Sequence, residues 1–160
     1  MSASYHFEHL QHFTAGTVGP KGQRTFYLQF GNPGELVSLK VEKGQVHALA
    51  EFLDQLLEDI DVDRADVPLP LDLIDPVEAE WAVASIGVAY ETDAQVFVLV
   101  VEEIVESETD DPATAELRLS PGQALAFVER SRDLVAAGRP PCTFCGRPLD
   151  DDDGWCPCHN

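Results

Sequence analysis

The residues of this chain with the clearest chemistry are four cysteines and a histidine in its C-terminal stretch, PPCTFCGRPLDDDDGWCPCHN. Cys142 and Cys145 form a C-x-x-C pair followed by glycine, a spacing typical of a metal knuckle in which both thiolates face one ion. Tetrahedral zinc requires two further sulfur or histidine ligands. Cys156 supplies the third ligand, and either Cys158 or His159 supplies the fourth; we expect Cys158. The sequence therefore predicts a zinc site in this tail.

A site filled by four thiolates leaves no coordination position for water or substrate, so we expect a structural rather than a catalytic Zn²⁺. Structural zinc stabilises small peptides by about 10–16 kcal/mol, enough to offset the ordering of so short a segment. Two alternatives stay open, a disordered tail with reactive thiols and a redox dithiol. The redox alternative is disfavoured because that motif belongs at a helix N-terminus beside a βαβ unit, and here it lies in a proline-flanked tail.

A second candidate site is the glycine-punctuated stretch 15–24, with Thr14, Thr17, Lys21 and Arg24 in or beside it. Backbone N–H groups of such a loop can bind a phosphate, with Lys21 and Arg24 as counter-charges. The first 50 residues carry a net charge of +1, whereas the whole chain carries −19. Known phosphate loops precede a helix, and this one is predicted to join two strands, so a plain connection is the competing interpretation.

Three histidines near the N-terminus, His6, His9 and His12, raise a further metal hypothesis. In a strand His6 and His12 share one face and His9 lies on the other, because side chains alternate between the faces. They cannot converge on one ion without other ligands, so we interpret them as structural or surface residues.

Paired carboxylates at 102–103 and 110–111 have no histidine, serine or lysine partner close in sequence. No nucleophile elbow, Walker motif or Ser-His-Asp series is recognisable, although triads assemble from distant positions. The sequence gives no positive sign of an enzyme, and whether the protein is one stays open.

The elements that position these residues begin with strands. The alternating stretch Tyr5–Phe13 predicts a strand, followed by the glycine-punctuated loop. Two more strands, RTFYLQF and ELVSLKV, are joined by Gly31–Gly34, whose residue types suit a tight turn. From Gln45 to Ile60 apolar side chains recur at i, i+3, i+4 and i+7, which predicts an amphipathic helix.

The second half repeats this organisation after residues 61–80, an acidic and proline-containing stretch too rich in leucine for a freely solvated linker. Three strands are predicted, WAVASIGVAYE, QVFVLVVEEIV and TAELRL, the middle one buried. A helix follows with Ser120 as N-cap, Pro121 at its first position and Gln123 three residues after the cap, and it ends near Ala137.

The two halves align. A shift of 78 residues places Gly44-Gln45 on Gly122-Gln123 and matches the apolar face of the first helix to that of the second. We therefore predict an α+β fold built from a duplicated βββα unit, with a mainly antiparallel sheet, two packed helices and a small zinc ribbon. The predicted parts are residues 1–60, the connector 61–80, the second unit 81–138 and the ribbon tail 139–160.

Composition restricts the partners. A net charge of −19 disfavours the phosphate backbone of nucleic acid and anionic membranes. No stretch approaches the roughly 20 apolar residues that span a bilayer, and no signal-peptide pattern opens the chain, so we expect a cytoplasmic protein.

The opening MSASYHFEHLQHFTAGTVGPKGQRTFYLQFG, the central WAVASIGVAYE and the tail CTFCGRPLD together resemble an uncharacterised actinobacterial family of about this length, a domain of unknown function. The resemblance covers nearly the whole chain. It implies a cytosolic actinobacterial protein without an assigned activity and with a zinc-knuckle-like element at Cys142 and Cys145.

Our leading functional hypothesis is a non-enzymatic adaptor with a structural zinc, which binds another protein through a basic surface on that partner. The alternative is a phosphate-ligand or nucleotide-processing enzyme that uses the Thr14–Arg24 loop. An acidic mimic of nucleic acid is a third hypothesis that depends on charge alone.

Overall fold

The computed structural model describes residues 2–20 and 22–137, in which the chain forms seven strands and two helices. The strands are β1 (Tyr5–Phe7), β2 (His12–Val18), β3 (Thr25–Asn32), β4 (Glu35–Val41), β5 (Ala79–Glu91), β6 (Val96–Glu103) and β7 (Thr114–Leu119). The helices are α1 (Lys43–Leu57) and α2 (Pro121–Ala137), and a 3₁₀ turn spans Arg64–Asp66. The predicted α+β class, with a mainly antiparallel sheet and two helices, is confirmed.

All seven strands belong to one sheet in the order β1-β7-β6-β5-β4-β3-β2. Neighbours are antiparallel except that β4 runs parallel to β5 and β1 runs parallel to β7. A flat sheet of this width would hold its end strands about 29 Å apart, at roughly 4.8 Å per step. However, β1 and β2 are joined by residues 8–11 alone, which reach at most about 18 Å. The sheet therefore curls until its two ends approach each other.

Side-chain contacts hold these two ends together. The ring of Phe7 on β1 meets the ring of Phe30 on β3 edge to face, with 5.8 Å between centroids. The side chain of Asn32 binds the linking residues from both sides: its Oδ1 accepts from Gln11 N and its Nδ2 donates to His9 O, each at 2.8 Å. The ends of the curled sheet are thus fixed by packing and by hydrogen bonds.

One face of the curled sheet forms the core. On β3 the buried residues Phe26, Leu28 and Phe30 alternate along the strand, as the period-2 pattern of a sheet face requires. The predicted central strand β6 lies between β5 and β7 and buries one of its faces. The other strands contribute buried apolar residues to the same cluster: Val37, Leu39 and Val41 of β4; Phe97, Leu99 and Val101 of β6; Ala115, Leu117 and Leu119 of β7.

Both helices begin with the same reciprocal capping arrangement. At α2 the Ser120 hydroxyl accepts from Gln123 N at 3.1 Å, and Gln123 Oε1 accepts from Ser120 N at 3.0 Å. At α1 the N-cap is Glu42, and Gln45 Oε1 accepts from Glu42 N at 2.9 Å. The predicted N-cap at Ser120, with Pro121 first in the helix, is confirmed.

The helices pack against each other as well as against the sheet. Arg132 of α2 reaches two acids of α1, with Nη2 at 2.8 Å from Asp54 Oδ2 and 3.3 Å from Glu51 Oε1. The hydrogen bonds that Arg132 donates to Asp54 and then to Glu51 raise its pKa above the ordinary value. The helix pair is therefore linked on its solvent side by charge and on its inner side by apolar packing.

Neither helix has the dimensions of a membrane span. α1 has 15 residues and α2 has 17, and a helix that crosses the hydrocarbon core needs about 20 apolar residues. Among the residues that the structure describes, no helix could cross a membrane.

The chain departs from the sequence-based expectations in four places. The predicted strand Tyr5–Phe13 is divided into β1 and the start of β2, because residues 8–11 carry the chain from one end of the strand order to the other. β2 continues to Val18, so much of the predicted loop 15–24 is strand, because its backbone pairs with β3 from His12 to Val18. α1 covers Lys43–Leu57 rather than extending to Ile60. β5 starts at Ala79, inside the predicted connector. The predicted zinc ribbon, 139–160, lies outside the described residues.

Candidate functional site

The predicted zinc ligands Cys142, Cys145, Cys156 and Cys158, with His159 as the alternative, all lie outside the described residues. Within residues 2–20 and 22–137, no group of three histidine, cysteine, aspartate or glutamate side chains is arranged to hold a metal ion. The zinc site stays a prediction.

The three N-terminal histidines are separated by the fold. His12 is buried and its Nε2 lies 2.8 Å from Gln29 Oε1. His6 is half-exposed between two acids, with its nitrogens 3.6 Å from Glu8 and 3.4 Å from Glu116. His9 is exposed in the link between β1 and β2. These are the structural and surface environments expected from the sequence.

Of the candidate anion-binding residues, the two threonines occupy different faces of β2. Thr14 lies inside β2 and is buried. Its hydroxyl donates to Leu71 O at 2.7 Å, so this hydroxyl proton already has an acceptor within the protein. Thr17 is three residues further along the same strand and therefore points to the opposite face. Arg24 precedes β3, and Lys21 lies outside the described residues. Anion binding at this turn stays a prediction.

An apolar groove lies between α1 and β5. β5 pairs with β4 only at Ala79 and Ala82, so among the described residues its edge beyond Ala84 has no strand partner on the side of α1. Gln45 spans the start of this gap, where its Nε2 donates to Val83 O at 3.0 Å. The cavity has a volume of about 440 Å³. Its lining consists of Gln45, Ala48, Leu49 and Phe52 from α1 and of residues 84–88 from β5.

The centre of the groove is unusually apolar for an open surface. Phe52 is 47% exposed although it is one of the largest side chains of α1. On β5, Ile86 and Val88 are half-buried beneath it. An aromatic ring, two branched aliphatic chains and an unpaired strand edge together form a surface that suits an extended apolar chain.

A matching space occurs between α2 and β2, and there the cavity is almost filled, with a volume of about 20 Å³. The α1 residues that line the groove correspond to the α2 residues that line this second space. The shift of 78 places Gln45 on Gln123 and Phe52 on Arg130. Gln123 repeats the contact of Gln45, because its Nε2 donates to Leu10 O, just before β2, at 2.6 Å. The lining here comprises Gln123, Ala126, Phe127 and Arg130 of α2, Gln11, Phe13 and Thr14 near β2, and residues 68–71 of the connector.

The connector fills this second space as an extended segment. Leu71 O accepts from the Thr14 hydroxyl at 2.7 Å, and Asp72 Oδ1 lies 3.0 Å from Arg130 Nη2. Leu73 packs so closely on Gly16 that an added Cβ would lie 2.4 Å from the leucine Cγ. Ile74 is bound at both its N–H and its C=O by the buried side chain of Gln29, at 2.8 and 3.0 Å. The predicted ordering of the connector has its physical basis in these contacts, whereas Leu69 is 83% exposed.

The two glycines at the helix starts differ in what covers them. A Cβ on Gly122 would lie 2.1 Å from Asp66 O, so the 3₁₀ turn of the connector passes directly over α2. A Cβ on Gly44 would meet no atom of the described residues within 4 Å. The α2 side of the molecule therefore has a covering segment, and no segment among residues 2–20 and 22–137 covers the α1 side in the same way.

One carboxylate in the sheet has a shifted pKa. Glu103 accepts a hydrogen bond from the Ser2 hydroxyl and a second from Ala113 N at 3.0 Å. These hydrogen bonds, that of Ser2 first, lower the pKa of Glu103 below its ordinary value of 4.5. Residues 2–4 also bind β5, because Ala3 O accepts from the Trp81 indole N–H at 2.9 Å. This carboxylate anchors the N-terminus and does not line the groove.

Comparison with protein families gives one result for the chain: residues 5–156 match the family described as Protein of unknown function (DUF3090). The chain belongs to the DUF3090 family. The match covers the sheet, both helices and the segment that contains Cys142, Cys145 and Cys156. Membership in an uncharacterised family, expected from the sequence, is confirmed, while the actinobacterial origin and the zinc-knuckle element stay predictions.

No curated protein and no solved structure matches this DUF3090 chain significantly. Its function is therefore inferred from the groove and the tail. The groove could not be read from the sequence because, of the α1 residues that line it, only Leu49 belongs to the apolar stripe of the helix. The available signal was Phe52, whose partner under the shift of 78 is the charged Arg130.

Proposed function

We propose that this DUF3090 protein is a non-enzymatic interaction module that binds an extended apolar peptide segment of another protein in the groove between α1 and β5. The observation that supports this is the matching space between α2 and β2, which the chain fills with its own segment 68–74. Because the groove between α1 and β5 is built in the same way as this space, we expect it to bind the same kind of extended apolar segment.

The chemistry of the ligand follows from the segment that fills the matching space. Residues 67–74, VPLPLDLI, include that segment. They are extended, contain two prolines and have leucine at every second position from Leu69 to Leu73. Proline in an extended segment reduces the conformational entropy that is lost on binding. We expect the partner segment to place one leucine-sized side chain against Phe52 and its backbone along the free edge of β5.

The charge of the protein indicates the surroundings of that segment. With a net charge of −19, the protein favours a partner whose peptide is flanked by lysine or arginine. Such complementarity accelerates association and weakens with salt. The basic partner surface and the cytoplasmic location are parts of this proposal.

We also infer an internal duplication. The strands β2, β3 and β4 precede α1 as β5, β6 and β7 precede α2, and the corresponding glutamines Gln45 and Gln123 make the same two kinds of contact. In each case the carbonyl that accepts from Nε2 belongs to the first long strand of the other half or to the residues just before it. A chance resemblance of helix stripes would not reproduce this reciprocal contact.

The zinc site belongs to the same proposal. Cys142, Cys145, Cys156 and Cys158 are proposed to hold one structural Zn²⁺, with His159 as the alternative fourth ligand. The test is metal content and free-thiol count on the purified protein and on Cys158→Ser and His159→Ala variants. We expect one zinc per chain that is lost with Cys158 and kept without His159; no metal in the parent protein would contradict the zinc proposal.

The groove is tested with the synthetic peptide VPLPLDLI, with and without two lysines at each end. We expect methyl NMR signals of Ala48 and Val88 to shift on titration and the lysine-flanked peptide to bind more tightly at low salt. Phe52→Ser should weaken binding about tenfold, as expected for the loss of a central apolar anchor. Val100→Ser is the matched control, because Val100 is also exposed, at 44%, but lies on β6 outside the groove. Equal binding by the two variants would contradict the proposed site.

The phosphate-ligand enzyme has less support from the fold. The hydroxyl of Thr14 is bound to the connector, and Thr17 points the other way along β2. No contact among the described residues favours this alternative over the groove.

A further inference from the structure

The order of segments along the chain is the same after each helix. After α1 the chain continues as the connector, which crosses to the other half and fills the space between α2 and β2. After α2 it continues as the tail that begins at residue 138. If the tail crosses to the other half as the connector does, it reaches the half that contains the groove between α1 and β5.

The sequence of the tail contains the filling motif in the same register. The shift of 78 residues that aligns the two helices places Pro70-Leu71-Asp72 on Pro148-Leu149-Asp150. In the connector this tripeptide makes the central contacts, since Leu71 O binds Thr14 and Asp72 binds Arg130. The same three residue types at the same distance from the helix indicate the same docking role.

A second observation is independent of this motif. Gly122 is required because the connector passes over it, with Asp66 O at 2.1 Å from an added Cβ. Gly44 occupies the corresponding place at α1, has no such neighbour among the described residues, and is still glycine. Glycine is unfavourable within a helix, so a segment that approaches Gly44 closely would explain its presence. Under the shift of 78, the residue opposite Gly44 would be Phe144, which precedes the motif as Asp66 precedes Pro70.

The exposure of β5 agrees with a missing cover. Residues 12–16 of β2 are all buried, because the core covers one face of the strand and the connector covers the other. β1 pairs with β7 as β5 pairs with β4, and β7 corresponds to β4 under the shift of 78. His6 of β1 therefore corresponds to Ala79 of β5, and this shift of 73 also relates β2 to β5. The corresponding residues 85–89 of β5 are exposed or half-buried. The groove between α1 and β5 thus resembles the space between α2 and β2, but none of the described residues fills it.

We propose that the segment Pro148–Asp150 of the same chain docks in the groove between α1 and β5 and competes there with the partner peptide. This inference rests on the proposed function, because it names the regulation of the same groove. Pro148 lies eleven positions after Ala137, and an extended chain spans about 36 Å over eleven residue steps. A 15-residue helix such as α1 is about 22 Å long.

One difference between the halves fits the charge of the tail. Asp72 has a cationic partner in Arg130, whereas Asp150 would face Phe52 at the corresponding place. The Asp72 side chain is 88% exposed, so its ion pair contributes little and an unpaired Asp150 would remain in water. Leu149 is therefore the residue on which the docking depends.

The experiment uses the full chain, its Leu149→Asp variant and, as a matched control in the same tail, Asp152→Asn. Contacts between Leu149 methyls and the Phe52 ring are measured by NOE, in a sample that also mixes labelled with unlabelled chains. Affinity for VPLPLDLI is measured on all three proteins. We expect the NOE within one chain and an affinity about tenfold or more higher for Leu149→Asp than for the other two, because the competing segment is released.

The outcomes separate this inference from the proposed function. Equal affinity of all three proteins, without the NOE, overturns the docking of the tail and leaves peptide binding standing. The intramolecular NOE without peptide binding by Leu149→Asp supports the docking and removes the proposed partner. An NOE seen only between chains means that a second copy fills the groove, which overturns docking within one chain.

Discussion

At the residue scale, the glycines at the starts of the two helices differ in the atoms that surround them. Gly122 lies under the connector carbonyl of Asp66, and Gly44 has open space among the described residues. The backbone is the same at both places, so the neighbours determine what a methyl group would do.

We predict that Gly122→Ala lowers the free energy of unfolding by about 1–3 kcal/mol, because the methyl group displaces the 3₁₀ turn from α2. Chemical denaturation measures the change. Gly44→Ala is the matched variant: helix propensity alone would raise stability by about 0.5–1 kcal/mol. A loss of stability in Gly44→Ala would instead support a segment that lies over Gly44, and equal effects of the two variants would contradict the assigned contact at Gly122.

A second prediction concerns Glu103, whose pKa in the folded protein is lower than its ordinary value. Its hydrogen bonds with Ser2 and Ala113 therefore stabilise the protein above pH 4.5, and this contribution disappears as the pH falls through the lowered pKa. We expect Glu103→Gln to unfold at lower urea than the parent at pH 7, and this difference to shrink as the pH falls below 4.5 and the Glu103 carboxylate becomes protonated. Glu102→Gln, one residue away and exposed, is the control. A pH-independent difference for Glu103→Gln would show that charge is not the cause.

At the element scale, the glutamine at the start of each helix has two functions. Its Oε1 closes the cap, and its Nε2 binds a backbone carbonyl of the other half. The capping signal is visible in the sequence from its spacing, whereas the second bond depends on which strand lies beside the helix.

We predict that Gln123→Glu costs about 1–3 kcal/mol in the free energy of unfolding, because the cap oxygen remains while the donor to Leu10 O is replaced by an acceptor. Gln123→Met, which removes both functions without placing a charge near the carbonyl, separates the two contributions. Thermal unfolding of the two variants provides the measurement. A neutral Gln123→Glu would mean that the bond to Leu10 adds nothing to stability.

At the scale of the whole molecule, the described part of the sheet and both helices share one apolar core. The apolar cluster connects β1 to β7 and both helices through buried side chains. The net charge of −19 is carried outside this core, and it opposes association with anionic partners at long range.

We therefore predict that chelation removes the proposed zinc without unfolding the body. Far-UV circular dichroism and the fluorescence of Trp81, which is buried and bound to Ala3 O, should keep their native values. The free-thiol count should rise at the same time. Loss of the circular dichroism signal on chelation would mean that the metal stabilises the body as well as the tail.

The sequence by itself determined the local elements. The helical stripe, the cap at Ser120, the turn at Gly31–Gly34 and the alternation on β3 and β6 all depend on neighbours within a few residues, so their spacing was sufficient. Membership in an uncharacterised family could be expected for the same reason, since the matching stretches are continuous. The strand at Thr14 was missed because its pairing with β3 outweighs the glycines that predicted a loop.

Only the tertiary structure decided which surfaces are covered. Leu71 and Phe52 are both large apolar residues in the sequence, but Leu71 fills a space beside α2 and Phe52 lines the groove beside α1. That difference arises because β4 and β5 separate after Ala82 and because the connector crosses to the opposite half. Contacts between distant segments, such as that of Gln45 with Val83 at a separation of 38 residues, leave no mark on local spacing, and the groove exists through such contacts alone.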